Sequence, residues 1–453
     1  MLYRKAMEKL RQWKGQRRKK ALCVVGARQI GKTTLIREFA KQNYAYFAEL
    51  NFILEPTAKD IFEGALDADT IVTNLTAYLR TPLVPGETLI LLDEIQECPN
   101  ARTAIKFLVE DGRFDYIESG SLLGIRSKNV RSMPVGFEEI YRMYPMDFEE
   151  FLRANGVQQS TFDYLRGCFE EKRSVQKPVH ETLIKLFYNY IIVGGMPNVV
   201  QIFVDTHDVG AVIAEQRDIL ESYRSDIAKY ADNTDKPKIR DIFDSIPAQL
   251  NDKNRRYMLS HIDKNARQLR YEDSFTWLKD AGVALPCYNV AAPVAPLMLN
   301  EKHNLFKLFL CDTGLLCAAC MENVQFDILQ GNLDVNLGSI LENMMAQQLH
   351  TNGYPLYYFD TKKYGEVDFV IQNGRKIGLV EVKSGKDYKK HPAADKILSV
   401  AEWKIPEAVV LCKGNVERAE KFIYLPWYMV TFLTPQQPPE SLKVEVDLGG
   451  LSE

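Results

Sequence analysis

Apolar residues fall in short unbroken runs over the first third of the chain, each followed by a stretch with helical spacing. Ala21-Leu22-Cys23-Val24-Val25 is one such run, and Thr34 to Ala40 after it keeps its apolar residues on one helix face. Thr88-Leu89-Ile90-Leu91-Leu92 is a second run, ending in Asp93-Glu94, and Phe114 to Glu118 is a third, ending at Ser119-Gly120-Ser121. Continuous rather than alternating runs predict parallel strands buried on both faces. Residues 21–155 therefore predict a doubly wound α/β unit.

The pattern changes beyond that unit. Pro134 to Phe151 is dense in aromatics, acids and prolines and reads as a loop entering a helix. Residues 156–235 predict helices, interrupted where Gly194-Gly195-Met196-Pro197 stops one. Over 236–325, helical spacing at Ile239–Ile246, a turn or short helix from Asp263 to Arg270, and a third helix from Tyr271 to Gly282 precede two strands. The strands, Ala284 to Val290 and Phe306 to Leu310, flank a Pro-rich loop, and the set predicts a compact winged helix. In 326–430, Gly365 to Ile371 and Ile377 to Ser384 predict two strands joined by an Asn373-Gly374 hairpin turn. The plan is completed by a basic helix over 1–20 and a Pro-rich, acidic tail over 431–453.

Composition narrows the class. With 453 residues, 46% hydrophobic and 26% charged, the chain suffices for several cores. A net charge of −3 argues against a uniformly basic coat for nucleic acid. Basic charge is local: Arg4, Lys5, Lys9, Arg11, Lys14, Arg17, Arg18, Lys19 and Lys20 stand against Glu8 alone. That segment predicts a solvated amphipathic helix, with phosphate-backbone contact as the alternative. No apolar core follows it, so it is not a signal peptide, and no run approaches the roughly 18–20 residues of a membrane span. A cytoplasmic protein is expected. Cys317 and Cys320 form a C-x-x-C with no second pair at zinc spacing, so the eight cysteines predict free buried thiols.

The chemistry lies in two places. Gly26-Ala27-Arg28-Gln29-Ile30-Gly31-Lys32-Thr33 satisfies G-x-x-x-x-G-K-[ST] between a strand and a helix, the context a P-loop requires. Backbone N–H groups of residues 26–34, Thr34 included, would cradle phosphates at a helix N-terminus. Lys32 would reach the β- and γ-phosphates of ATP, and Thr33 and Asp93 would hold Mg²⁺. Glu94 is placed to activate the attacking water; Ser119 is placed to sense the γ-phosphate, although Ser119-Gly120-Ser121 also reads as ordinary turn chemistry. Arg126, Arg131 and Arg142 are candidates for a cation supplied to that phosphate, each also readable as an ordinary surface arginine.

The second place is Asp368 followed by Glu381-x-Lys383, with Glu342 on a helix upstream. Glu381 and Lys383 share a strand face, and Asp368 can join them across the hairpin. Asp368 and Glu381 would bind Mg²⁺ or Mn²⁺ while Lys383 orients water or stabilises a pentacovalent phosphate. This is the PD-(D/E)xK pattern, readable as a working nuclease centre or as a structural network. In the winged-helix segment, Arg255, Arg256, Lys264, Arg267 and Arg270 would suit phosphates, but Glu272, Asp273 and Asp280 on the third helix argue against base readout.

These residues together resemble AAA+ ATPases of bacteria and archaea that carry a C-terminal nuclease-like domain of unknown function. The likeness covers roughly 15–430. It adds Leu91 to Gln96, Ser119 to Ser121, Tyr144 to Phe151, Gly194 to Pro197, Lys307 to Leu316 and Glu381 to Ser384. It implies an AAA+ doubly wound P-loop core, a helical lid with a winged helix, and a restriction-endonuclease-like α/β domain. Phe137 and Glu138 stand in the loop where the family often has an arginine, which leaves the arginine finger unassigned. Two functions follow as expectations: an ATPase whose C-terminal site grips or cuts DNA, or a nucleotide-driven switch that binds a partner without cutting. The expected partners are ATP, then DNA or a protein docked on the winged helix, and a second copy of the chain.

Overall fold

In the computed structural model, residues 2–16, 19–121, 134–252, 256–262, 270–320, 337–385 and 387–436 are described. Arg126, Arg131, Arg255, Lys264 and Arg267 lie outside them. The three apolar runs form β1 (Ala21–Val25), β3 (Thr88–Asp93) and β4 (Asp115–Gly120). With β2 (Tyr46–Asn51) and β5 (Glu138–Arg142) they make a parallel sheet of order β2-β3-β4-β1-β5. Both faces are covered, as unbroken apolar runs require. Leu22, Val24, Leu89 and Leu91 pack into one core, and Ala21, Cys23, Ile90 and Leu92 into another on the opposite face.

The basic N-terminal segment forms an amphipathic helix whose apolar face is packed and whose Glu8, Arg11 and Gln12 are exposed. In α1 (Ala6–Lys14), Ala6, Met7, Leu10 and Trp13 are buried. Its charges are matched by acids of the core: Lys5 by Asp147 and Glu149, Lys9 by Glu139, and Lys19 by Asp115. Arg4, just before the helix, is itself buried against Glu150. Sequence pattern sees local charge density, whereas these acids lie about a hundred residues or more away in sequence.

Helices fill 148–230: α5 (Phe148–Ala154), α6 (Gln159–Glu170), α7 (Lys177–Val193), α8 (Pro197–Thr206) and α9 (Val209–Tyr230). The break between α7 and α8 is fixed sterically. A Cβ on Gly195 would lie 2.0 Å from the Met146 carbonyl oxygen, and one on Gly194 would lie 2.2 Å from Asp312 Oδ1. The backbone N–H of Gly195 donates to Asp312 Oδ2 at 2.5 Å, and that of Leu315 to Oδ1 at 3.0 Å. Asp312 opens onto α12 (Thr313–Cys320), which carries the C-x-x-C; Cys317 is buried but Cys320 is exposed, so the expected thiol burial fails there.

Residues 236–320 supply α10 (Lys236–Asn251), α11 (Glu272–Asp280) and an antiparallel hairpin of β6 (Ala284–Val290) and β7 (Glu301–Leu310). The hairpin does not stand alone. β6 also pairs in parallel with β8 (Tyr357–Thr361), and β9 (Gly365–Val367) extends the sheet to β7-β6-β8-β9, across the expected boundary at 325. The expected strand over 365–371 is broken at Asp368. β9 pairs with β8, whereas β10 (Phe369–Asn373) pairs antiparallel with β11 (Lys376–Val382) in a second sheet of order β10-β11-β12-β14-β13. Here β12 is Ala408–Cys412, β13 Glu417–Ala419 and β14 Phe422–Pro426. A buried turn over Trp427–Phe432 crosses the expected start of the tail. Among the described residues, no helix is long and apolar enough to cross a membrane.

One core residue carries a pH signature. Glu118 on β4 is fully buried beside Cys23 of β1, and neither of its carboxylate oxygens has a hydrogen-bond partner among the described residues. Arg102 is 3.7 Å away, too far for a hydrogen bond, and donates to Glu138 instead. Burial pushes the Glu118 carboxyl from 4.5 to about 8, Arg102 only partly opposing it. A carboxyl that binds its proton more tightly when folded costs stability as pH rises between those two values. Glu118→Gln is therefore expected to match the parent's unfolding free energy near pH 5 and to exceed it near pH 9 by a few kcal/mol. Denaturant titrations at both pH values check this; a variant less stable at both would show that the ionised carboxylate serves Arg102.

Candidate functional site

The loop after β1 has the backbone its sequence demands. Gly26 has φ 144° and Gly31 φ 84°, and Gln29 is also left-handed at 63°. A Cβ on Gly26 would sit 2.2 Å from the Met143 carbonyl oxygen, so only glycine fits. α2 (Lys32–Asn43) starts at the loop's end, aiming its N-terminal N–H groups into the turn. Lys32 Nζ folds back onto the carbonyl oxygens of Gly26 at 3.0 Å and Ala27 at 2.8 Å. Burial lowers its pKa to about 8, with Glu94 and Asp93 opposing and Arg28 assisting. An anion there would relieve that cost by pairing with the ammonium.

Asp93, at the end of β3, is the centre of the polar network. Thr33 Oγ1 donates to both its oxygens at 3.2 Å, Asn51 Nδ2 donates at 2.8 Å, and Ser119 Oγ donates to Oδ1. Parallel pairing makes this arrangement: β2, β3 and β4 bring Asn51, Asp93 and Ser119 into register at their carboxyl ends. Glu94 follows in a left-handed turn at φ 55°, accepting from Gln96. Lys32, Thr33, Asp93, Glu94 and Ser119 are thus gathered where the sequence placed them. Ser119 is bonded to Asp93, and Thr34 is on the first turn of α2.

The surroundings were not legible in the sequence. Arg4 donates from Nη1 to the Ile30 carbonyl at 2.8 Å, from Nη2 to the Tyr144 carbonyl at 2.6 Å, and from Nε to Glu150 at 3.3 Å. α9 covers the loop's other side. Arg28 pairs with Asp226 at 2.5 Å, Gln29 bonds Ser222, and the Tyr223 hydroxyl donates to the Arg28 carbonyl. Burial raises Asp226 to about 6 against the pull of Arg28, and Glu94 adds to the rise. The turn after α11 completes the enclosure, with a Cβ on Gly282 reaching within 3.0 Å of the Ala27 nitrogen. Arg142, a candidate γ-phosphate cation, points into a separate cleft with Lys279 and His350.

In the C-terminal part, Glu342 and Asp368 come together, but with Glu366 rather than Glu381. Carboxylate oxygens of Glu342, Glu366 and Asp368 lie within 4.8 Å of one another. The fully buried Lys307 of β7 is bonded to Glu342 and lies 2.6 Å from Glu366. Burial works against its charge, but Glu342, Glu366 and Asp368 outweigh that and raise its pKa. Asp368 Oδ2 accepts from the Val382 N–H at 2.7 Å. Glu381 instead pairs with Lys383 at 3.0 Å; burial raises its pKa and Lys383 opposes the rise. The three oxygens suit a hard divalent ion, but a protein ammonium already lies against two of the carboxylates. The Glu381–Lys383 face is as expected; Lys307 and Glu366 were missed, although Glu366 lies two residues before Asp368.

Three family models match. Residues 18–152 match an AAA domain, 184–325 a domain of unknown function (DUF8612), and 337–429 another (DUF4143). No curated protein matches the chain. Among solved structures, the Walker-type ATPase PABY2304 of Pyrococcus abyssi is 12% identical, covering 70% of this chain and 96% of its own, with a TM-score of 0.43. The Aeropyrum pernix Orc1 protein in complex with DNA is 14% identical, with coverages of 71% and 93% and a TM-score of 0.27. Cdc6p from Pyrobaculum aerophilum is 12% identical, with coverages of 72% and 93% and the same TM-score. Even 0.43 is too low for any property of these proteins to transfer to this chain.

Arg4 is expected to set loop geometry. Arg4→Ala leaves the Ile30 and Tyr144 carbonyls without their buried donor, so ATP affinity should fall about tenfold, equivalent to roughly 1.4 kcal/mol. Arg4→Lys, with one donor site instead of a fork, should fall between. Calorimetric titration of ATP measures both; parental affinity in Arg4→Ala would show that the loop holds its shape unaided.

Proposed function

We propose that the AAA domain over residues 18–152 not only binds ATP but hydrolyses it, and that the chain works as a nucleotide-driven switch. The observation that carries this is the convergence of Lys32, Thr33, Asp93 and Glu94 at one end of the parallel sheet. Lys32 would exchange its two carbonyl partners for phosphate oxygens. Thr33 and Asp93 would hold Mg²⁺, which supplies charge neutralisation to the phosphates. Glu94, beside Lys32, accepts from Gln96 at Oε2, and its other oxygen would orient a water molecule and take its proton. Arg28 and Gln29 reach α9, and Ala27 touches the turn at Gly282, so any shift of the loop on binding phosphate presses on both.

A second reading is favoured by the carboxylates of Glu342, Glu366 and Asp368. On it, the C-terminal part holds Mg²⁺ or Mn²⁺ and grips or cuts the phosphodiesters of DNA. Lys307 weighs against this, because a buried ammonium already balances part of the charge. The residue arrangement fits a switch better than a cutter.

Glu94→Gln is expected to bind ATP with parental affinity and to hydrolyse it at least a hundredfold more slowly, the usual range for a lost general base being about 10²–10⁴. Phosphate release assays decide; a parental rate in Glu94→Gln would remove Glu94 from the chemistry. For the second reading, Mn²⁺ without nucleotide should raise the melting temperature of the full chain, in Lys32→Ala as well as the parent, and Asp368→Ala should abolish the rise. Absence of any Mn²⁺ effect would leave the carboxylates as a structural partner of Lys307.

A further inference from the structure

Beside the nucleotide loop lies a cleft of about 370 Å³. That is within the range of small-molecule sites, about 300–1,000 Å³, near its lower end. Of the P-loop, only Gly26 and Ala27 line it, so it opens on the start of the loop rather than on its phosphate-binding turn. From there β6 forms one wall, running from Ala284 beside the loop to Tyr288, about 13 Å at roughly 3.3 Å per residue.

The two ends of this cleft differ in chemistry. Toward the core stand Arg142 and Lys279, both exposed, and neither makes an ion pair among the described residues; Lys279 also lines an adjoining cleft with Tyr288 and His303. Both act on His350, whose ring meets Tyr144 edge-on at 5.1 Å. Burial, with Arg142, holds that imidazole down at about 4, so it is neutral and the cations keep their field. Asp280 also feels both cations, but it does not line the cleft. At the hairpin end, Tyr288 and Tyr357 stand side by side on paired strands, and Glu301 is hydrogen-bonded to Tyr357 and lies 2.9 Å from His303 Nδ1. Met143, Leu285 and Leu356 supply the apolar wall between.

We propose that this cleft is a second small-molecule site, distinct from the phosphate-binding turn of the P-loop, that takes a nucleoside monophosphate. Its phosphate would lie against Arg142 and Lys279, and its base would run along the tyrosine-lined wall with its amino edge toward Glu301. A planar aromatic body with an anion at one end and a hydrogen-bond donor at the other matches the order of groups along β6. Because Gly26 and Ala27 are shared, the ligand would touch the same loop that holds ATP. The proposal does not rest on hydrolysis at Glu94.

The test is calorimetric titration of AMP into the full chain. The parent is expected to bind AMP at sub-millimolar concentration, and Lys32→Ala to bind it equally. R142E/K279E, altered only at exposed side chains, is expected to lose roughly tenfold or more, the loss of at least one charge-assisted contact. Retained ATP binding in R142E/K279E confirms that its fold is intact. No AMP binding by the parent at millimolar concentration would overturn the proposal. So would loss of AMP binding in Lys32→Ala, since AMP would then occupy the P-loop itself.

Discussion

The buried carboxylate of Asp312 ties together the helices that back the P-loop. It accepts the N–H groups of Gly195 and Leu315 in a place where no side chain fits on Gly194 or Gly195. Burial pushes its pKa up to about 6, opposed by the N–H donors around it. The same knot gathers further segments. Tyr190 donates to the Met146 carbonyl and accepts from Gln347, while Gln216 of α9 donates to the last carbonyls of α7. Met146 is thereby fixed, and with it the stretch after β5 that presses Met143 on Gly26. Pro197, just past the break, lies against Gly31. A carboxylate 280 residues from the P-loop therefore helps decide the loop's shape.

Burial and charge are set against each other at each centre, and partners decide the outcome. At Lys32 burial wins, the nearby acids being too few, and the ammonium is left costly until an anion arrives. Three carboxylates around Lys307 reverse the balance, so that a cation stays charged with no exposure at all. The first arrangement is poised for a ligand and the second is already satisfied. That contrast is the physical reason for reading the N-terminal centre as the working site and the C-terminal one as a brace between β7, β9 and the helix Gly338–Thr351.

What the sequence made legible was local. The P-loop, the acids after β3 and the strands of the core are contiguous motifs whose backbone demands can be read one residue at a time. Glu381 and Lys383 were placed on one face by strand periodicity alone. Arg4 was not legible, because its partners Ile30, Tyr144 and Glu150 lie 26 to 146 residues away. Lys307 reads as one more charge in an apolar strand until β8 and β9 join its sheet. The break at Asp368 escaped for a related reason: alternation gives the face of a strand but not which sheet it pairs with. Helix α9 read as a lid element, but nothing in its spacing tells that Asp226 meets Arg28 198 residues earlier.

The P-loop is clasped from outside, so binding of ATP must be felt by α9 and by the turn after α11. Hydrogen–deuterium exchange of the full chain with and without ATP and Mg²⁺ tests this most directly. Altered exchange is expected in residues 26–34 together with 219–230 and 278–285. A change confined to 26–34, with both distant segments exchanging as before, would contradict it.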